Sequence, residues 1–375
     1  MTSAARKALE ITALGVLPLA ALALGLATFA GQDRLALDFH QELYPQAQAV
    51  VHGHDAYPAP DADLSDGTNA IWPMAAVLPV VPLTALPADA ADWVVSLLVV
   101  ATLVAALWVF EVRDWRVYGI TLLWSPVVDA YQTGNVTLPL VLLVALTWRY
   151  RNRVAPAGIA LGVALALKFF LWPLLLWLAA VRRTRAAVVA AAVAAASLLL
   201  LLPFTSIGDY LRLLRNLSDT FDGLSYTLYA LLVDLGAPSS LARAVTLLAG
   251  AAALAVAWRR RSLGLFVGAA LLLSPIVWRH FFALLVVPLA LSRPRLDAVW
   301  LVPLVFWFVP GTYNGAPWQT ALALAAAAAT VMLAEREPSA VESPSPSPLA
   351  RLGRRSSHRL DGRGVPADAP REHHP

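Results

Sequence analysis

Cysteine is absent from the 375 residues, which excludes disulfides, thiolate metal sites and a cysteine nucleophile. Charge is nearly as scarce. Only 14% of the chain is charged and 59% is hydrophobic, against about 25% charged in a soluble domain. Lysine is rarest of all, since the 28 basic residues include just Lys7 and Lys168. What remains is a succession of apolar runs suited to a hydrocarbon core about 30 Å thick. The chain reads as an all-α polytopic membrane protein. Its net charge of +4 does not point to nucleic acid, because the basic residues punctuate the apolar runs instead of forming one patch.

Those basic residues fall in short clusters: Arg6/Lys7, Arg113/Arg116, Arg149/Arg151/Arg153, Arg182/Arg183/Arg185, Arg259/Arg260/Arg261 and Arg293/Arg295. With Arg336 and six in the tail they make 22 of the 28. All can share one side of a membrane, which the positive-inside rule makes cytoplasmic. The reading is then a multi-pass protein of the cell membrane with both termini cytoplasmic. The acid-bearing segments 31–92, 129–135, 204–240 and 311–317 face outward. The first apolar run has a basic start but is too long for a signal peptide and lacks a small-residue cleavage site, so it reads as a retained helix.

This threading predicts helices near 8–30, 93–110, 117–131, 135–149, 186–203, 240–257, 297–310 and 317–334. Segments 156–181 and 262–292 begin and end at basic clusters yet are too short for two crossings, which need about 40 residues. Each reads as a pair of short helices. Their tips, at Lys168 and at Ser274–His280, are expected to face the same side as the first outer loop, in a protein-lined cavity. Residues 71–87 are apolar but broken by prolines, and read as a re-entrant or interfacial piece. Residues 207–222 read as an interfacial amphipathic helix, with Leu211, Leu214 and Leu217 opposed to Arg212, Arg215 and Asp219. The chain divides into a membrane domain, 1–334, and a Pro/Ser/Arg-rich tail, 335–375, expected to be disordered.

The first outer loop carries the densest ionisable chemistry. Asp38 and Glu42 lie one helical turn apart, followed by Tyr44 and Tyr57. A partly desolvated carboxylate there can act as general base toward a hydroxyl; a solvated acidic loop is the plain alternative. His52-Gly-His54-Asp55 has the look of a metal site but is too weak a pattern to carry one, so no metal is expected. Lys168 stands among Ala, Leu and Phe, where an ionisable residue in a membrane marks function unless it snorkels to the headgroups. Arg279 and His280, beside Trp278, suit a phosphate; an interfacial arginine with a Trp belt is the alternative. Asn135 follows Gly134 in what is first a turn signal, and its amide can bind a sugar hydroxyl.

Taken in order, these motifs resemble a known family. Asp38-Phe39-x4-Tyr44-x2-Ala47-x5-Gly53-x3-Tyr57-Pro58 is similar to the first outer loop of the glycosyltransferase 87 family (DUF2029). Gly134-Asn135, Lys168-x4-Pro173 and Ser274-Pro-x2-Trp278-x-His280 resemble its later elements, and the likeness spans about residues 8 to 334. Two family elements are weakened: Trp72-Pro73-x5-Pro79 stands where a Tyr-Pro-Pro stretch is usual, and Gly134-Asn135 where a Gly-Gln-x-Asn element is common. The resemblance implies a GT-C-like bundle of about 10–12 transmembrane helices, including the two short hairpins. It implies a transferase moving a sugar, mannose first among them, from a polyprenyl-phosphate donor to a lipid-linked or glycan acceptor, without a cofactor. Asp38 takes the family's role of catalytic base. Lys168, Arg279 and His280 would bind the donor phosphate, and Glu42, Tyr44, Tyr57, Asn135 and Trp278 the substrates. The active site would be extracytoplasmic. A transporter or lipid flippase is the competing class, since hairpins and buried charge are natural there too. A membrane scaffold would leave Lys168 and Asp38 without a purpose.

Overall fold

Apolar runs fold into helices throughout, and no strand occurs among the described residues. The structure is a computed structural model and describes residues 2–336 apart from 66, 68, 69 and 312. From 337 onward the expected disordered tail lies outside the described residues.

Ser3–Gly31 (α1) leads into an outlying segment with helices Tyr44–His52 (α2) and Met74–Ala85 (α3). Ala88–Val109 (α4) continues through Trp115–Leu122 (α5) into a bent pair, Ser125–Thr133 (α6) and Thr137–Arg149 (α7). Val154–Leu167 (α8) and Phe169–Ala180 (α9) make the first short pair, followed by Thr184–Leu201 (α10) and Ile207–Phe221 (α11). Leu228–Asp234 (α12) and Ser239–Arg260 (α13) precede the second pair, Leu263–Leu273 (α14) and Arg279–Ser292 (α15). Ala298–Phe308 (α16) and Pro317–Ala334 (α17) complete the described chain.

Helices α1, α4, α10, α13 and α17 are long and apolar enough to cross a membrane, and α6–α7 would add a sixth as one bent span. The remaining apolar segments are shorter than the threading supposed. The run expected at 117–131 breaks between α5 and α6, where Ser125-Pro126 starts a new helix. The run expected at 297–310 is a tighter 3-10 helix with Pro303 inside it, a residue that cannot supply an α-helical hydrogen bond.

The two short pairs double back as their lengths require. Arg151 and Asn152, just before α8, line one cavity with Val181 and Arg183, just after α9. The start of α14 (Leu263) and the end of α15 (Leu291) line that same cavity. At the other end the tips meet: Phe170 stacks on Phe281 with centroids 5.0 Å apart. Helix α8 packs closely along α10 through Gly158 and Gly162, where an added Cβ would lie 2.6 and 2.5 Å from the Cβ atoms of Val189 and Val193. Small residues at this spacing let backbones approach where lipid gives no hydrophobic drive to pack.

The segment between α1 and α4 is a folded layer. Phe39, Leu43, Tyr44 and Ala47 pack with Trp72, Met74 and Val77, and with Tyr210, Leu213 and Phe221 of α11, in an apolar cluster distinct from the main core. Residues 71–87, expected to be re-entrant or interfacial, thus belong to this layer, with α3 lying on α2. The packed face of α11 differs by one position from the expected leucine stripe. Tyr210 and Leu213 are buried whereas Leu211 and Leu214 are exposed, because the aromatic Tyr210 and Phe221 extend the inward stripe at both ends.

Candidate active site

Asp38 is held between the start of this layer and the break in the α6–α7 pair. Those two helices bend by 110°. Gly134 sits at φ +65°, and the Asn135 N–H reaches back to the Ala130 carbonyl at 3.0 Å, the closing bond of a Schellman turn. The turn aims the Asn135 side chain at the loop: its Nδ2 donates to Asp38 Oδ2 at 3.0 Å. Thr137 Oγ1 donates to Asn135 Oδ1 at 3.0 Å and thereby fixes the amide's direction. Asp38 itself opens a wide π-turn, Phe39–Leu43, the kind of helix irregularity that recurs at functional sites.

Four positions on, Glu42 faces the same way. Its Oε2 accepts the indole N–H of Trp72 at 2.8 Å. Trp72 is pinned in turn, with its backbone N–H and C=O both bonded to the Gln46 amide at 3.1 Å. Lys168, at the tip of the first hairpin, lies over two rings, 4.8 Å from the Trp72 centroid and 4.6 Å from that of Phe281. The ammonium acts electrostatically on both Asp38 and Glu42. All three keep intermediate accessibility although protein closely surrounds them, as groups lining a recess do.

Burial raises the Asp38 carboxyl above the usual carboxylate range, opposed by the Asn135 hydrogen bond and by Lys168. Glu42 is pushed up to about 8, first by burial and then by the charge of Asp38. Two carboxylates facing one ammonium do not readily ionise together. Glu42 is therefore the carboxyl that gives up its proton last, and Asp38 the one that ionises first.

The second hairpin supplies Arg279 and His280. Arg279 is committed to a bidentate pair with Asp129, Nε to Oδ2 and Nη2 to Oδ1 each at 2.5 Å. Its Nη1 donates to the Val309 carbonyl at 2.7 Å. His280 is buried, and its Nε2 has no hydrogen-bond partner among the described residues. Trp278 packs edge-on against Phe221 and Tyr313, with centroids 5.8 Å away in each case.

A sequence profile of glycosyltransferase family 87 matches residues 71–288. The chain belongs to that family. It is a membrane glycosyltransferase, and the transporter and scaffold readings give way. No curated protein and no solved structure gives a match. Within this family-87 chain, Asn135, Lys168, Trp278, Arg279 and His280 fall inside the matched segment, and Asp38 and Glu42 precede it.

Of the residues singled out in the sequence, the structure brings Asp38, Glu42, Asn135 and Lys168 together. It gives two others work in holding the layer: the Tyr44 hydroxyl donates to the Leu86 carbonyl and the Tyr57 hydroxyl to the Trp72 carbonyl, both at 2.9 Å. His52 and His54 stack on each other at 6.0 Å, away from this cluster. The roles of two residues were not foreseen from the sequence. Trp72 bridges Glu42 and Lys168, and Asp129 holds Arg279. A charge balance across the apolar segments had the signal for Asp129, since a lone buried guanidinium needs a buried acid.

Proposed function

We propose that this glycosyltransferase moves mannose from a polyprenyl-phosphate donor to a hydroxyl of a lipid-linked or glycan acceptor, on the extracytoplasmic face and with inversion. The observation that carries the reading is the Asp38 carboxyl, oriented by Asn135 and within the field of the Lys168 ammonium. The acceptor oxygen attacks the anomeric carbon while its proton passes to Asp38. The bond from that carbon to the phosphate oxygen breaks, and the lipid phosphate leaves with the electron pair. A phosphate leaving group is a weak base, so charge stabilisation suffices where glycoside hydrolysis needs a second carboxyl as acid.

Lys168 supplies that stabilisation, and His280, buried with its Nε2 unpartnered, would meet the donor only once that atom is uncovered. Arg279, already bonded to Asp129 and Val309, acts through its field rather than as a free clamp. The raised basicity of Asp38 favours its taking a hydroxyl proton. Glu42 and Trp278 are proposed to contact the acceptor.

The test is transfer from radiolabelled polyprenyl-phosphate mannose in membranes bearing the wild-type chain or Asp38→Asn. A near-complete loss in a variant that still inserts and folds is expected. Normal turnover by Asp38→Asn would remove the base, and transfer from another donor class alone would remove the donor.

A further inference from the structure

At the basic end of the two hairpins, opposite Asp38, a cavity of about 380 Å³ opens between the ends of α7, α9, α14, α15 and α17. Three guanidinium groups line it, those of Arg151, Arg183 and Arg261, along with the single carboxylate of Glu335. Among the described residues no ion pair joins any of the three arginines to an acid. Glu335 is engaged with the Ser262 hydroxyl instead. The lining therefore carries a positive excess with nothing in the described protein to balance it.

Two of the arginines are also held in place. Arg151 donates to the Trp148 carbonyl at 2.8 Å and lies over that ring, and Arg183 donates to the Asn152 amide oxygen at 2.6 Å. Arg261 ends α13 at φ +53°, a left-handed position where glycine is free and a long side chain is strained. The deeper wall is apolar, with Trp177, Leu263 and Leu291, and the neighbouring Val154 and Ile159 on α8 are exposed toward the surroundings.

We propose that this cavity binds the phosphodiester headgroup of an anionic membrane phospholipid. Its acyl chains would lie along the exposed apolar side of α8. The charge excess selects an anion, bidentate guanidinium geometry suits a phosphate, and the apolar wall with adjoining exposed valine and isoleucine suits a lipid over a free ion. Basic pockets between helices on the positive-inside face are where such headgroups bind. Occupancy would tie together the basic ends of both hairpins, whose other ends carry Lys168 and His280. The inference rests on the membrane fold and not on the identity of the donor or base.

The test is native mass spectrometry of the full chain released from detergent after titration with phosphatidylglycerol, phosphatidylcholine or inorganic phosphate. The pocket variant R151Q/R183Q/R261Q is compared with R182Q/R185Q/R259Q, which removes equal charge from exposed positions outside the lining. Wild type should retain phosphatidylglycerol in preference to phosphatidylcholine. The pocket variant should lose this retention by roughly tenfold or more, given the contribution of each arginine near a charged headgroup, while the outside variant keeps it. The same lipid should raise the thermal midpoint of wild type but not of the pocket variant. Equal loss in both variants would reassign the effect to a diffuse basic surface. Full displacement by inorganic phosphate would make it a free-anion site. Either result overturns the proposal, as does equal retention of the two lipids.

Discussion

Asn135 and Asp38 are 97 positions apart in sequence, and one amide N–H of the first donates to a carboxylate oxygen of the second at 3.0 Å. The contact links the break between α6 and α7 to the layer between α1 and α4, and it favours the ionised form of the carboxylate. Asn135 is in this respect a positioning residue for the proposed base. Asn135→Ala should lower transfer roughly tenfold to a hundredfold, the scale of a small misplacement of a reacting group. It should also move the acid limb of the pH–rate profile upward, because the carboxyl loses a bond that holds its pKa down. Thr137→Val should act in the same direction and less. An unchanged pH profile with reduced rate would leave Asn135 a merely structural part.

The turn that presents Asn135 depends on Gly134. Its φ of +65° is a left-handed conformation, and a Cβ there would stand 2.9 Å from the Cβ atoms of both Ala36 and Phe39. Gly134→Ala should therefore destabilise the fold by more than about 1 kcal/mol and displace the loop that bears Asp38. Thermal unfolding in detergent reads the first effect and transfer assays the second. A variant as stable and active as wild type would mean that the loop does not need this contact.

Asp129 and Arg279 form a pair that is almost wholly buried, with side chains 6% and 12% exposed. Removing either partner strands a charge, so Asp129→Asn or Arg279→Gln alone should cost about 3–5 kcal/mol. The double change Asp129→Leu/Arg279→Met should recover most of that stability in the same unfolding assay. Transfer should stay low in the double variant, because the donor phosphate would lose a nearby positive field. Recovery of transfer together with stability would show that the pair serves the fold alone.

The sequence carried much of this arrangement, and its failures have physical causes. Hairpin length against bilayer thickness located Lys168 and the 274–280 tip, and both lie together in space. Asp38 and Glu42 were visible as a one-turn pair in an apolar chain. The partner of Asp38 was visible only as Gly134-Asn135, a local turn signal that does not say what the amide will face. Trp72 was hidden because an aromatic in an apolar stretch is ordinarily core. The breaks within the apolar runs were not visible, because hydropathy does not register the prolines and left-handed turns that interrupt a helix. The shift of the α11 face came from tyrosine and phenylalanine, which a leucine stripe overlooks.

Glu42 gives the sharpest solution test. Its carboxyl is pushed from an ordinary 4.5 up to about 8 by burial and by Asp38. Between those values the folded protein holds a proton that the unfolded chain has released, so stability falls as pH rises through this window. The loss should be on the order of a few kcal/mol across the window. Glu42→Gln keeps a neutral group of the same shape, and the loss associated with its ionisation should vanish. Thermal midpoints of both proteins from pH 5 to 8.5 decide the matter, and equal slopes would mean that Glu42 is ionised throughout. The consequence reaches the proposed chemistry. With Glu42 neutral, Lys168 faces one anion instead of two, and retains positive charge to offer a departing phosphate. Glu42→Gln should then preserve transfer at neutral pH.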